Sequence, residues 1–99
     1  MDIRHVLNEI PFEWDSTKSE ENLIKHGVDF EVACQAFFDP FVYVLEEETH
    51  DDEIREMLLG MTLQWNVLYV VYIIRQGDIF RIISARSATS TERRLYEEQ

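Results

Sequence analysis

The sequence predicts an α+β domain in which helices pack on one face of a small, twisted, antiparallel sheet. Three observations lead to this prediction. Two helical segments with good capping residues lie between residues 15 and 38. A run of apolar strand segments separated by turn residues follows, from 41 to 86, and one more capped helix ends the chain. Strands grouped apart from helices are typical of the α+β class, and the predicted order is β-α-α-β-β-β-β-α.

The first predicted strand is short, and a helix follows it directly. Residues 12–14 alternate apolar and polar side chains, as a half-buried strand does. Asp15 is a good N-cap for a helix over 16–26. Gly27 is a good residue to end that helix, because glycine adopts the left-handed conformation that closes many helices.

A second helix is predicted to begin after Asp29, which is another good N-cap, and to end before the pair Asp39-Pro40. Its apolar residues recur at the spacing of one helix face, which predicts a buried stripe. The stripe consists of Phe30, Ala33, Cys34 and Phe37. Cys34 is therefore interpreted as a core residue rather than a reactive thiol.

The rest of the chain is predicted to form a meander and a last helix. The predicted strands are 41–45, 54–63, 67–75 and 78–86. The third of these is apolar on both faces, which predicts a central strand. The acidic run 46–53 is predicted to be a solvated loop. Thr89 and Glu92 form the pattern of a capping box for a helix that continues to Glu98.

Length and composition predict one domain, spanning residues 1–99, with enough apolar side chains for one core. A single cysteine excludes an intramolecular disulfide and a four-cysteine zinc site. The N-terminus lacks the apolar segment of a signal peptide, and no apolar run approaches the roughly 20 residues of a membrane span. We therefore expect a cytoplasmic protein that does not contact the membrane.

The charge is strongly negative and unevenly distributed. The formal net charge is −11, and residues 1–56 carry 16 acidic and 4 basic side chains. Residues 57–99 carry 4 acidic and 5 basic side chains. Because nucleic-acid binding depends on neutralising phosphates, the acidic half is excluded as a general nucleic-acid surface. A polyanion would have to bind a local patch in the C-terminal half, whereas a basic partner could use the acidic half.

The last predicted strand carries two arginines, Arg81 and Arg86, in this acidic chain. Guanidinium groups bind phosphate and carboxylate groups in a bidentate manner. In an unbroken strand the two side chains would point to opposite faces, unless a bulge or the strand end redirects one of them. If the preceding turn is 76–77, Tyr72 would lie opposite Arg81 as a stacking partner.

Five segments, in this order and spacing, resemble the BrnT toxins of the broader RelE/ParE-like toxin group. They are 12–15 (FEWD), 22–28 (NLIKHGV), 37–40 (FFDP), 81–86 (RIISAR) and 92–97 (ERRLYE). Together they extend over nearly the whole chain. Each segment alone is a weak signal, but five in order identify the chain as a member of this family.

The resemblance implies a fold and an activity. The family fold is a small antiparallel sheet with helices on one side, in agreement with the pattern above. The family activity is endoribonuclease action that needs no metal or cofactor and that arrests translation. The implied partner is a BrnA-like antitoxin with a ribbon-helix-helix domain. The complex of toxin and antitoxin represses its own operon, so that DNA is contacted only indirectly, through the antitoxin.

Metal-free RNA cleavage needs a base for the 2′-hydroxyl proton, cations for the charged transition state, and an acid for the leaving oxygen. The resemblance places the candidate site residues at Lys25, His26, Arg55, Arg81 and Arg86. Each also has a structural interpretation. Cations at the end of a helix are favoured by its dipole, and an arginine beside the acidic run can pair with it. The arginines at 93 and 94 are predicted to lie on an exposed helix face or to pair with Glu97 and Glu98 one turn later.

A second function stays open. At position 87 the family more often has a lysine, whereas this chain has Ser87. The alternative is therefore a degenerate, non-catalytic homologue that binds the antitoxin and acts as an operon co-repressor.

Overall fold

A computed structural model describes residues 1–99, apart from the side chain of His50. The strands are β1 (Asp2–Leu7), β2 (Ile10–Asp15), β3 (Tyr43–His50), β4 (Glu53–Met61), β5 (Val67–Arg75) and β6 (Ile79–Ser87). The helices are α1 (Ser16–His26), α2 (Phe30–Gln35), a 3-10 turn (Ala36–Phe38) and α3 (Ser90–Glu97). The predicted α+β class and order of elements are confirmed, with one additional strand at the N-terminus.

The helix ends lie where their capping residues predict. The Asp15 carboxylate accepts a hydrogen bond from the Lys18 backbone N–H, and Gly27 closes α1 with a left-handed φ of 70°. Asp29 caps α2 through the Glu31 N–H. In α3 both hydrogen bonds of the predicted capping box are present. Local side-chain chemistry is enough to fix these boundaries, because a cap satisfies backbone groups that the helix cannot.

The sheet has the order β1-β2-β6-β5-β4-β3 and is antiparallel except where β2 pairs with β6 in parallel. The strand β1 was not predicted. It forms a hairpin with β2 across Asn8 and Glu9, whose φ values of 50° and 69° are those of a tight two-residue turn. The hairpin places β1 at one edge of the sheet.

The acidic run does not form the predicted loop. It continues β3 and then turns back into β4 across Asp51 and Asp52, with φ values of 49° and 66°. The prediction was wrong because charge density was interpreted as a loop signal, although an exposed edge strand tolerates charged side chains well.

Both faces of the sheet are partly covered. Successive side chains of a strand point to opposite faces, so Leu58 and Leu59 of β4 lie on opposite faces of the sheet. Leu58 belongs to the main core with α2, whereas Leu59 packs with Tyr96 of α3 in a second, smaller cluster. The first two helices therefore lie on one face and α3 lies on the other, which refines the expectation that all helices share one face.

Gly60 allows the 3-10 turn to approach the sheet. A Cβ atom at this position would lie 2.3 Å from the Ala36 carbonyl oxygen, which is too close for any side chain. Gly60 therefore sets the contact between β4 and the residues that follow α2. None of the described helices is both long and apolar enough to span a bilayer.

Candidate active site

A bulge in β6 brings Arg81 and Arg86 to the same face of the sheet. In the register with β5, Arg81 lies opposite Ile73 and Arg86 lies opposite Tyr69. These two partners are four residues apart in one strand, so they point to the same face, and so do the arginines. Ile83 has no partner in the register and is the extra residue. The opposite-face arrangement expected of an unbroken strand is therefore not what occurs.

Further arginines share this face. A row of cross-strand neighbours crosses all six strands, and its members are Arg4, Glu13, Arg81, Ile73, Arg55 and Glu48. Arg75 lies two residues beyond Ile73 in β5 and points the same way. We call this surface, defined by Arg4, Arg55, Arg75, Arg81 and Arg86, the arginine face. It holds five of the nine lysines and arginines of the chain.

Arg81 is held by two carboxylates. It donates to Glu13 at 2.6 Å and to Asp2 at 3.1 Å, and only 18% of its side chain is exposed. The hydrogen bond with Asp2 raises the pKa of Arg81 against the opposing effect of burial, and Glu13 adds to the rise. The hydrogen bond from Arg81 in turn lowers the pKa of Asp2. Since a guanidinium has five N–H donors, Arg81 keeps donors for a further ligand.

The expected stack of Tyr72 on Arg81 does not form. The turn between β5 and β6 contains three residues, so Arg75 pairs with Ile79 and Tyr72 pairs with Ile82. Tyr72 is buried on the helix face, where its hydroxyl donates to Glu56 at 2.6 Å. A turn one residue longer shifts the pairing between β5 and β6 by one residue. Tyr72 and Arg81 therefore point to opposite faces of the sheet.

Arg86 is held between an aromatic ring and a carboxylate. Its guanidinium lies 4.1 Å from the centre of the Tyr69 ring and forms a bidentate pair with Glu92 at 2.8 and 3.0 Å. The hydrogen bond from Arg86 lowers the pKa of Glu92 against its partial burial. Glu92 also accepts the Thr89 N–H in the capping box, so one carboxylate joins β6 to the start of α3.

Arg55 has a different environment. It is partly buried in β4 opposite Glu48, and its Nε finds no hydrogen-bond partner within the described part of the chain. Glu48 is the cross-strand neighbour of Arg55 in the acidic run, but no ion pair joins these two side chains. Arg55 and Arg81 are separated by one intervening strand, a distance of about 10 Å between backbones.

Lys25 and His26 lie in the last turn of α1, beside the bulged part of β6. They line a shallow cavity of about 170 Å³ with Ile83 and Ser84. The helix is fixed there by Asn22, whose buried amide bonds both the carbonyl and the N–H of Ala85. Ser84 lies between Arg81 and Arg86 along β6, so the cavity adjoins the arginine face.

The structure thus brings three predicted site residues, Arg55, Arg81 and Arg86, onto one face and places Lys25 and His26 at its border. Sequence reasoning missed Arg4 and Arg75. For Arg4 the signal was weak, because residues 3–7 do not alternate strictly between apolar and polar side chains. The sheet face on which Arg75 lies depends on how β5 pairs with β4 and β6, and the sequence did not determine that pairing.

Cys34, Arg93 and Arg94 lie where their predicted structural roles require, and two aromatic residues are also part of the packing. Cys34 is fully buried, and burial raises the pKa of its thiol to about 12. Trp14 and Tyr96 are buried, and Tyr96 bonds Asp39 through its hydroxyl. Arg93 and Arg94 are exposed on α3.

The mixed sheet with helices on both faces can be compared with known structures. The crystal structure of the Brucella abortus ribonuclease toxin BrnT is similar, with 28% sequence identity and a TM-score of 0.55. The alignment covers 78% of this chain and 94% of that one. No curated protein matches the chain significantly. The class is that of ribonuclease toxins of type II toxin–antitoxin systems.

The family is given by the sequence match. A model of the family described as the ribonuclease toxin BrnT of type II toxin–antitoxin systems matches residues 14–92. The chain belongs to this family. The resemblance seen in its motifs is therefore confirmed, and a toxin of this kind has an antitoxin as its partner.

Proposed function

We propose that this toxin is a metal-independent endoribonuclease that arrests translation and that binds its RNA substrate on the arginine face. The observation that carries the proposal is the placement of five arginines on one sheet face in a chain of net charge −11. Salt screens exposed charges beyond about 8–10 Å, so acidic residues outside this face oppose RNA binding only weakly. Glu13 and Glu92, which lie close to the face, are paired with its arginines.

Arg81 and Arg86 are the proposed contacts to the scissile phosphate. Carboxylates hold both guanidinium groups in place, so that their remaining N–H donors are oriented before the substrate arrives. Donors fixed in this way stabilise developing charge better than mobile ones, because they need no reorganisation during the reaction. Arg55, which lies on β4 beyond the intervening strand β5, supplies a third cation.

Proton transfer is assigned to the end of α1. Imidazole is the side chain that changes protonation nearest to neutral pH, and His26 lies in the cavity that also contains Ser84. In this role His26 exchanges a proton with the 2′-hydroxyl or the leaving oxygen. Lys25 provides positive charge beside it. An RNA strand lying along β6 would pass both groups.

The first experiment is RNA cleavage by the purified protein in the presence of a chelator. We expect cleavage, and we expect Arg86→Ala to abolish it while circular dichroism shows an unchanged fold. Arg93→Ala is the matched control, since it removes the same charge from an exposed position. Undiminished cleavage by Arg86→Ala would reject the role of that residue. A folded wild-type protein that leaves RNA intact and permits growth when expressed alone would instead support the non-catalytic alternative.

The partner is proposed to be a BrnA-like antitoxin with a ribbon-helix-helix domain, which carries the DNA contact of the complex. We assign its contact to the apolar surface formed by Phe38, Pro40, Leu63 and Trp65, around a cavity of about 300 Å³. Trp65 is 83% exposed and Leu63 is 78% exposed. Exposed tryptophan is typical of interface hot spots, and the charge of −11 favours a basic partner.

The loop that presents this surface is well fixed. The Leu63 N–H donates to the Gln35 side chain at 3.0 Å, and the Trp65 N–H donates to the Thr62 carbonyl at 3.0 Å. Trp65 also has a left-handed φ of 65°, which is unfavourable for a bulky side chain.

We expect Trp65→Ala to weaken antitoxin binding at least tenfold and to leave RNA cleavage unchanged. Unchanged antitoxin affinity would place the contact elsewhere.

A further inference from the structure

Two arginines of the arginine face, Arg4 and Arg75, are both exposed and without an internal partner, whereas Arg55 is partly buried. Arg4 and Arg75 are exposed, and neither forms a hydrogen bond or an ion pair within the described residues. They border one cavity of about 510 Å³ at the end of the sheet that α3 leaves uncovered. The cavity is also lined by Glu13, Glu53, Gln76 and Ile79.

The lack of a partner is unexpected in a chain with 20 acidic and 9 basic side chains. Glu13 is the cross-strand neighbour of Arg4, but its carboxylate is already bonded to Arg81. Because Glu13 pairs with Arg81, the guanidinium of Arg4 has no ion-pair partner and can bind a ligand. Free guanidinium groups directed at a polar cavity are suited to a phosphate, which they bind through charge-assisted hydrogen bonds.

The cavity also contains acceptors. Glu53 is exposed on its rim, and Gln76 contributes an amide. An isolated phosphate would be repelled by Glu53. A nucleotide combines an anionic phosphate with a base whose amino groups donate hydrogen bonds, and bases in single-stranded RNA are recognised through such edges. Mixed charge in the cavity thus favours a nucleotide over a simple anion.

We propose that this cavity is a subsite for a nucleotide that flanks the cleaved bond. Arg4 and Arg75 hold its phosphate, and Glu53 and Gln76 bond its base. The inference rests on the proposed ribonuclease function, and it extends that function by a subsite. The subsite adjoins the cleavage centre, because Arg4 and Arg81 lie in one row of the sheet with only Glu13 between them. Their backbones are about 10 Å apart.

The test compares two double variants of equal charge. Arg4→Ala/Arg75→Ala removes the subsite cations, and Arg93→Ala/Arg94→Ala removes two exposed arginines from α3. We expect the subsite variant to raise KM for an RNA oligonucleotide about tenfold, with kcat changed less than about twofold, because the cations bind a part of the substrate that does not react. The α3 variant should leave both constants unchanged.

Affinity for an RNA that cannot be cleaved, such as a 2′-O-methyl oligonucleotide, separates this inference from the proposed activity. In Arg4→Ala/Arg75→Ala the slope of log Kd against log salt should be smaller than in the wild type by about 0.7, because one phosphate contact is lost. If the wild type does not cleave RNA, the proposed activity fails, and the oligonucleotide still tests the subsite. Equal weakening by both double variants, or none by the subsite variant, would overturn the inference. So would loss of antitoxin binding by the subsite variant with RNA affinity intact, which would assign the cavity to the antitoxin.

Discussion

Four of the five arginines of the arginine face fall into two groups that differ in their internal partners. Arg81 and Arg86 are bound to carboxylates of the same chain, and one of them lies beside a helix. Arg4 and Arg75 are exposed at the uncovered end and have no partner within the described structure. Partnered guanidinium groups are rigid and oriented, whereas free ones supply affinity. The difference suggests a division between catalysis at the first pair and substrate binding at the second.

Removal of Arg81 should have the largest effect on stability. Arg81→Ala leaves Glu13, which is 5% exposed, as a buried charge without its ion-pair partner. Loss of one member of a buried pair costs about 3 kcal/mol of unfolding free energy. RNA cleavage should fall about 100-fold, as it does when one donor to a transition-state oxyanion is removed. Chemical denaturation and a cleavage assay measure the two effects.

A second variant separates stability from function at this position. In Arg81→Ala/Glu13→Gln the buried group is neutral, so most of the lost stability should return while cleavage stays low. If cleavage returned together with stability, Arg81 would be a structural residue only, and the division between the two groups of arginines would fail.

The ion pair of Arg86 with Glu92 gives a smaller, pH-dependent effect. The folded pKa of Glu92 is lowered from its ordinary value of 4.5. A lowered pKa stabilises the fold above the unfolded value, and this contribution is lost as the pH falls through the folded value. At pH 7 Glu92→Gln should therefore cost about 1 kcal/mol, as partly exposed pairs do.

The pH series distinguishes this pair from other acid effects. The difference in unfolding free energy between the wild type and Glu92→Gln should shrink as the pH falls below 4.5. Amide exchange in α3 should be faster in the variant at neutral pH. A difference that stayed constant down to pH 3 would show that the Arg86 pair does not hold α3.

The attachment of the other end of α3 should give an effect of similar size, with the opposite pH dependence. Burial, together with the hydrogen bond to Asp39, raises the pKa of Tyr96 to about 12. A raised pKa contributes stability that is complete below the unfolded value of 10 and is lost as the pH rises toward 12. Tyr96→Phe should cost about 1 kcal/mol at pH 7. The difference in unfolding free energy between the wild type and Tyr96→Phe should become smaller above pH 10. A difference that grew there would contradict a stabilising role for the hydrogen bond between Tyr96 and Asp39.

Local signals predicted the helices well. Asp15, Gly27, Asp29 and the pair of Thr89 with Glu92 act within one turn of chain, so their effect could be deduced without tertiary contacts. The acidic run was misjudged because a strand edge and a solvated loop have the same composition.

The site was predicted less completely, since it depends on register. The identity of Arg81 and Arg86 as candidates came from the sequence, but the bulge at Ile83 that unites their faces did not. A bulge results from the pairing of two strands and leaves no mark in either strand alone. The internal carboxylate partners Asp2 and Glu92 also depend on tertiary contact, as does the exposure of Arg4.

The most direct test of the central claim, that RNA binds the arginine face, is an NMR titration of the arginine Nε–Hε resonances with a 2′-O-methyl RNA oligonucleotide. The account predicts saturable shifts for Arg4, Arg55, Arg75, Arg81 and Arg86, and unchanged resonances for Arg93 and Arg94. Shifts confined to Arg93 and Arg94, with the other five unchanged, would contradict it.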